Sequence, residues 1–179
     1  MGFIVYDDFA MWQVALLHKF LKNAGYEIET LSIEGGEIST DGGVGIYSKS
    51  LIGSKPNEYD LLLFPGGNVT EDLIDNKPLM NFLQTYKGVV AASCASSAIV
   101  AGAGLIKGKF TCVEVAKERF SKYFSSGTYI DADVCVDHNI ITSKGHAHFE
   151  FMMTVLREVG VLRKDPRVER VALKLGKNE

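Results

Sequence analysis

Cysteine is scarce in this chain: Cys94, Cys112 and Cys135 are three residues among 179, odd in number and widely separated. That spacing excludes a disulfide framework and a zinc ribbon and suits a reducing compartment, so a cytoplasmic location is expected. Long apolar runs are missing as well. None approaches the roughly 18 residues of a membrane span, which sets a membrane partner aside. Neither sign of charge dominates, with 19 Lys and Arg against 22 Asp and Glu and a formal net charge of −3. Without a basic cluster to offset it, that balance argues against a nucleic-acid partner. Proline occurs only 4 times, and no Pro- or Ser-rich linker or internal repeat divides the chain. What is present is ordinary for a globular protein, 46% hydrophobic and 23% charged. One domain over residues 1–179 is expected, with a core large enough to need no staples. The opening MGFIVYDDF lacks a basic region and a cleavage site and reads as a first strand rather than a signal peptide. The locally basic RKDPRVERVALKLGK reads as a solvated surface helix.

Apolar patterning alternates between two periods. Gly2–Tyr6, Tyr26–Ile33, Asp60–Phe64 (DLLLF) and Gly88–Ser93 (GVVAAS) read as strands, the last two buried on both faces. Helical patterns cover Met11–Asn23, Pro78–Tyr86, Ala95–Ala103, Ala116–Tyr123, Phe149–Val159 and Asp165–Leu175. Glycines between Glu34 and Ser48 point to turns around short extra strands, and Asp137-His138-Asn139 to a hairpin between Val134–Val136 and Ile140–Thr142. Strands alternating with helices at this spacing define an α/β fold, a doubly wound, flavodoxin-like three-layer sandwich with a mainly parallel central sheet.

In such sheets ligands collect outside the carboxyl ends of the strands. Three segments fall there: Asp7-Asp8, Pro65-Gly66-Gly67-Asn68 and Ser93-Cys94-Ala95-Ser96. The strand GVVAAS runs into a helix with no loop residue between, so the chain turns sharply at Cys94, as in a nucleophile elbow. A helix N-terminus beside the sulfur favours the thiolate. A buried, inert cysteine fits the same position equally well. Two glycines after Pro65 let the Gly67 N–H face a ligand, and with the Ala95 N–H it can form an oxyanion hole. His146 and His148, in SKGHAHFEF, fall at a strand end on the same edge and are candidate bases, or else two surface histidines at a helix start. Their spacing offers no third metal ligand, so no metal is expected. Asp7 and Asp8 read as caps of the first helix, with a carboxylate role for Cys94 as the alternative, and Glu114 is a weaker acid. Cys112 and Cys135 read as core, His18 and His138 as surface, and Trp12 as packing or a dimer contact. AGAGLIKGK is not a P-loop, because its glycine spacing is wrong and Phe110 replaces the required Ser/Thr. GVG at 43–45 lacks the third glycine of a dinucleotide fingerprint, and no cofactor is expected.

The stretches FIVYDDFAMWQV, DLLLFPGG, GVVAASCASSAIVAGAGLIKGKFT and NIITSKGHAHFEF, in this order and spacing from Phe3 to about Val159, resemble the ThiJ/PfpI family of the class I glutamine-amidotransferase-like superfamily. The resemblance implies the fold above, a homodimer, no obligatory cofactor, and Cys94 as elbow cysteine with Gly67 and Ala95 as oxyanion donors. It also implies cysteine-dependent hydrolases, amidases, glyoxalases, hydratases, chaperones or oxidative-stress sensors. This chain departs from the family's catalytic pattern at three positions. Gln13 stands where an acidic residue is usual, Val113 where many members carry His, and Ala95 where peptidase-like members carry His. Gln hydrogen-bonds a thiolate but does not exchange a proton near neutral pH. Three functions follow: a cysteine-dependent enzyme on a small carbonyl, amide or nitrile-like substrate, a redox sensor whose partner is an oxidant, and a scaffold with a structural Cys94.

Overall fold

The computed structural model describes residues 1–177. In chain order the elements are β1 (Gly2–Ile4), α1 (Ala15–Asn23), β2 (Glu29–Ser32), β3 (Gly36–Ser39), β4 (Gly45–Ser50), β5 (Leu61–Phe64), α2 (Glu71–Ile74) and α3 (Lys77–Thr85). There follow β6 (Val89–Ser93), α4 (Ser97–Gly102), β7 (Lys109–Phe110), α5 (Glu114–Arg119), β8 (Thr128–Tyr129), β9 (Val134–Asp137) and β10 (Ile140–Ser143). Helices α6 (His148–Glu158), α7 (Val161–Lys164) and α8 (Arg167–Lys177) complete them.

The central sheet has eight strands in the order β3-β4-β2-β1-β5-β6-β10-β9, parallel except for the β3–β4 and β9–β10 edges. Helices cover both of its faces, which makes the flavodoxin-like sandwich expected from the alternation. The apolar runs explain the centre. Leu61, Leu62, Leu63 and Phe64 are completely buried, as strand residues covered on both faces must be. Registers Leu63↔Ala91, Phe64↔Ala92 and Thr142↔Ala92 align the ends of β5, β6 and β10. Connection of β1 to β2 on one side, and of β4 across to β5 on the other, puts the switch in strand order between β1 and β5. A ligand crevice opens at such a switch.

Local chemistry sets the element boundaries. Asn76 Oδ1 accepts from the Leu79 N–H at 3.1 Å, and Pro78 follows in the first turn, so α3 starts where expected. Gly160, at φ +79°, ends α6. The helix expected over Met11–Asn23 is divided instead. Met11–Gln13 forms a 3₁₀ turn, and α1 begins only after Val14. Asp7 and Asp8 cap neither piece. Asp7 Oδ1 accepts from the Ser39 N–H at 3.1 Å and ties the end of β1 to β3, and Asp8 sits at φ +59°. His18 is no surface residue either. Its ring packs edge-on against Phe3 at 4.2 Å, its Nδ1–H donates to the Val14 carbonyl at 2.8 Å, and its buried Nε2 has no hydrogen-bond partner among the described residues. Elements α2, α7, β7 and β8 were not expected from the sequence. Among the described residues no helix is long and apolar enough to cross a membrane.

Candidate active site

Four chain segments leave the carboxyl ends of adjacent parallel strands: Val5–Gln13 after β1, Pro65–Asn68 after β5, Cys94 after β6 and Lys144–Gly145 after β10. Cys94 takes φ +61° directly after β6 and opens a 3₁₀ turn, Cys94–Ser96, that runs into α4. An L-residue in the left-handed region costs about 1–2 kcal/mol, so its surroundings must hold it there. They do so from beneath. The Tyr6 hydroxyl donates to the Pro65 carbonyl at 2.9 Å and meets Ser96 Oγ at 2.8 Å, while Ser96 Oγ also bonds the Pro65 carbonyl. On the other side Ser143 Oγ donates to Ser93 Oγ at 3.2 Å. The elbow is thereby fixed to the ends of β1, β5 and β10.

Gln13 lies against the sulfur. It is only 5% exposed, and its Oε1 accepts from the Gly66 N–H at 2.9 Å. That bond fixes the amide orientation and aims Nε2, a donor, at the Cys94 side chain. Two glycines make room for this pair. A Cβ on Gly66 would lie 2.5 Å from Gln13 Oε1 and 2.6 Å from Cys94 Cβ, and one on Gly145 would lie 2.9 Å from Cys94 Sγ. Sequence reading placed Gly66 in a ligand-edge turn only as the neighbour of Gly67 and did not single out Gly145, although a glycine two residues beyond a strand at the ligand edge is a usable signal. Gly67, at φ +139°, packs so closely that a Cβ would lie 2.5 Å from the Asp8 carbonyl oxygen. Three backbone and side-chain bonds sew this wall together: Ala10 N–H to Gly66 O at 2.8 Å, Asn68 N–H to Asp8 O at 3.2 Å, and the Gly66–Gln13 bond.

Above the sulfur opens a cleft of about 200 Å³, lined on one side by Gly67, Asn68 and Val69 and on the other by Val113, Val115, Ala116, Arg119 and Phe120 of α5 and its flanks. Cys94 and Ala95 line it as well. Burial pushes the Cys94 thiol up from its ordinary value, and the Ala95 N–H and Gln13 side chain pull only partly the other way. The thiolate expected from a helix N-terminus is therefore opposed. The element after the elbow is a three-residue 3₁₀ turn followed by a six-residue helix, too short for a full dipole, whereas Gln13 and the two glycines take the sulfur largely out of water.

His146 and His148 are placed elsewhere. His146 Nε2–H donates to Asp133 Oδ1 at 3.2 Å and lines a neighbouring polar cleft of about 400 Å³ with Glu114, Lys117, Tyr129, Asp131 and Lys144. His148 donates through Nδ1 to the His146 carbonyl at 3.1 Å, and its ring packs edge-on against Trp12 at 5.7 Å. Neither ring hydrogen-bonds the Cys94 sulfur. Val113 borders both clefts. Cys112 and Cys135 are buried, and burial pushes the Cys112 thiol up to about 12. Among the described residues no three His, Cys, Asp or Glu side chains come together as a metal site.

A parallel sheet crowned by a strained cysteine elbow, beside a glycine turn from the neighbouring strand, defines a class of elbow-cysteine α/β proteins. Within that class the chain belongs to the DJ-1/PfpI family, which matches residues 2–158. It is 26% identical over 166 residues to a Bacillus subtilis protein named uncharacterized protease YdeA, with 88% of this chain and 81% of that protein covered. It is 26% identical over 106 residues to a Caenorhabditis elegans protein named glutathione-independent glyoxalase DJR-1.2, with 57% and 56% covered. The fold matches that of the Agrobacterium tumefaciens DJ-1 superfamily protein Atu0886 with a TM-score of 0.82, at 21% identity over 99% of this chain and 97% of that one. A two-domain protein of Anabaena variabilis, joining a DJ-1/ThiJ/PfpI-like and a ferritin-like domain, matches with a TM-score of 0.80 at 20% identity. Of that chain only 47% is covered, against 89% of this one, so this chain spans about half its length.

Proposed function

We propose that the protein is a cysteine-dependent enzyme of hydrolase or lyase type on a small carbonyl, amide or nitrile-like substrate, with carbonyl compounds the favoured class. Cys94 is the nucleophile in this reading, and the Gly67 and Ala95 N–H groups hold the developing oxyanion. One observation carries it. The side chain on the sulfur of a strained elbow is the Gln13 amide, a donor that takes up no proton. Amide hydrolysis needs a proton for the leaving nitrogen and a base for water, and Gln13 supplies neither. Carbonyl addition has no such demand. The sulfur forms a bond to the carbonyl carbon, the π pair moves to oxygen, and that oxygen takes from water a proton equal to the one the thiol releases. Gln13 positions the sulfur, and His146 or His148 acts only through water.

The relatives named protease and glyoxalase support a cysteine enzyme without choosing its substrate. Small aldehydes, dicarbonyls, amides and nitriles make the test panel. Cys94→Ser is expected to abolish turnover; persistent turnover refutes the nucleophile, and amides outpacing carbonyls refutes the preference. A second reading, redox sensing, is favoured by the donor-only surroundings of the sulfur, which suit a sulfinate as well as an oxyanion. Two equivalents of hydrogen peroxide transfer one oxygen each to Cys94 and leave as water. A Cys94 sulfinate in the intact-protein mass, without turnover on the panel, selects this reading. The working form in both is a cytoplasmic homodimer, checked by light scattering after gel filtration.

A further inference from the structure

Resting on the enzyme reading above, we propose that Arg119 makes the Cys94 cleft selective for carbonyl compounds bearing an adjacent carboxylate, the 2-oxo acid class. Arg119 is the charged side chain among the residues lining that cleft; Gly67, Val69, Cys94, Ala95, Val113, Val115, Ala116 and Phe120 are apolar or present backbone, and Asn68 is a neutral amide. No carboxylate lines it. Other cations around this end of the molecule have anionic partners: Lys117 pairs with Glu114, Lys122 with Glu71 and Lys144 with Asp131. Arg119 makes no ion pair among the described residues, and its guanidinium lies over the Phe120 ring, 4.9 Å from the centroid. A stacked guanidinium keeps its planar fork of donors free, and that fork matches a carboxylate through two parallel hydrogen bonds. Arg119 is an exposed residue, so the pairing acts in the presence of water and is screened by added salt.

Size completes the argument. Arg119 and Cys94 line the same cleft of about 200 Å³, so a ligand that pairs with the guanidinium and presents a carbon to the sulfur carries those two groups close together. A carboxylate bonded to a ketone or aldehyde carbon meets that condition. Its carbonyl oxygen turns to the Gly67 and Ala95 N–H groups, its carboxylate to Arg119, and its carbonyl carbon to the sulfur.

Alkylation rates test this independently of turnover. Iodoacetate and iodoacetamide differ in charge and little in size, and with either the Sγ–C bond forms, iodide leaves and the thiol proton goes to buffer. The ratio of Cys94 labelling by iodoacetate to that by iodoacetamide is expected to exceed the ratio for free cysteine by about fivefold to tenfold. Arg119→Gln returns the ratio to that of free cysteine, Arg119→Lys leaves it between, and added salt lowers it in the parent protein. A ratio equal to that of free cysteine, or one that Arg119→Gln does not change, overturns the proposal. Failure of the panel with the ratio intact removes the enzyme reading alone. Turnover of neutral carbonyls with an ordinary ratio removes the Arg119 assignment alone, and a Cys94 that neither reagent labels overturns both.

Discussion

Replacing Cys94 by Gly should yield a more stable protein than replacing it by Ala, although Gly is the weaker residue almost everywhere else. Both variants lose the sulfur, so the comparison isolates the backbone. At φ +61° Ala keeps the strain of a left-handed L-residue, about 1–2 kcal/mol, and Gly relieves it. Against that gain stands the larger chain entropy of unfolded Gly, about 0.4–1 kcal/mol. The net is about 0.5–1 kcal/mol in favour of Gly, or about 1–4 °C in melting temperature for a domain of this size. Urea unfolding of both variants, followed by circular dichroism, measures the difference directly. If Ala proves the more stable of the two, the elbow is not strained and the account of how β1, β5 and β10 hold it fails.

Three further outcomes follow from the same geometry. Gln13→Leu strands the buried Gly66 N–H, costs about 1–3 kcal/mol in urea unfolding and slows iodoacetamide labelling of Cys94, whose thiol loses a donor; unchanged stability would remove the Gly66–Gln13 bond from the argument. Gly66→Ala drives a Cβ into both Gln13 and Cys94 and is expected to destabilise by about 1–3 kcal/mol, whereas the same change at Gly104, which faces open space at φ +72°, carries only the backbone penalty; equal losses at both sites refute the packing account. Cys112 and Tyr59 are pushed up to about 12, chiefly by burial, so the fold favours their protonated forms. That stability is present below their ordinary values and is lost as pH rises from about 9 toward 12, and Cys112→Ala makes the fall of the urea midpoint shallower. A midpoint that holds steady across this range contradicts the burial of Cys112 and the partial burial of Tyr59 beside the Glu29 carboxylate.

Elements that the sequence revealed are those whose side chains obey one period over several residues. DLLLF and GVVAAS read as central strands because every residue faces core, and the elbow was legible because no residue separates the second of them from its helix. Helices α2 and α7 have four residues each, and β7 and β8 two each, too few for a period to show. Asp7 misled because an acidic residue before a helical pattern has the composition of a cap; the 3₁₀ turn at Met11–Gln13 moved the helix start out of its reach and left it to β3. His18 misled because helix periodicity does not reveal that Phe3 closes over that flank. Within the site, residue types and turns singled out Cys94, Gly67 and Ala95 as candidates and the family resemblance added Gln13, but the contact of Gln13 with Gly66 and the packing of Gly145 on the sulfur join segments far apart in sequence. The direction of the Cys94 thiol shift belongs to the same group, since it depends on how much water those distant residues remove.

The two walls of the Cys94 cleft are built by different means, with a consequence for how it adapts. The Gly66–Asn68 wall is hydrogen-bonded to Asp8, Ala10 and Gln13, and moving it would break bonds that the elbow itself relies on. The opposite wall is α5, six residues of one short helix whose Val115 is 69% exposed. Differences in ligand size must therefore be absorbed on the α5 side, against a fixed reference surface. Such a cleft works as a caliper with one jaw fixed: residue changes along Val113–Phe120 retune what fits, while the geometry of attack at Cys94 stays constant.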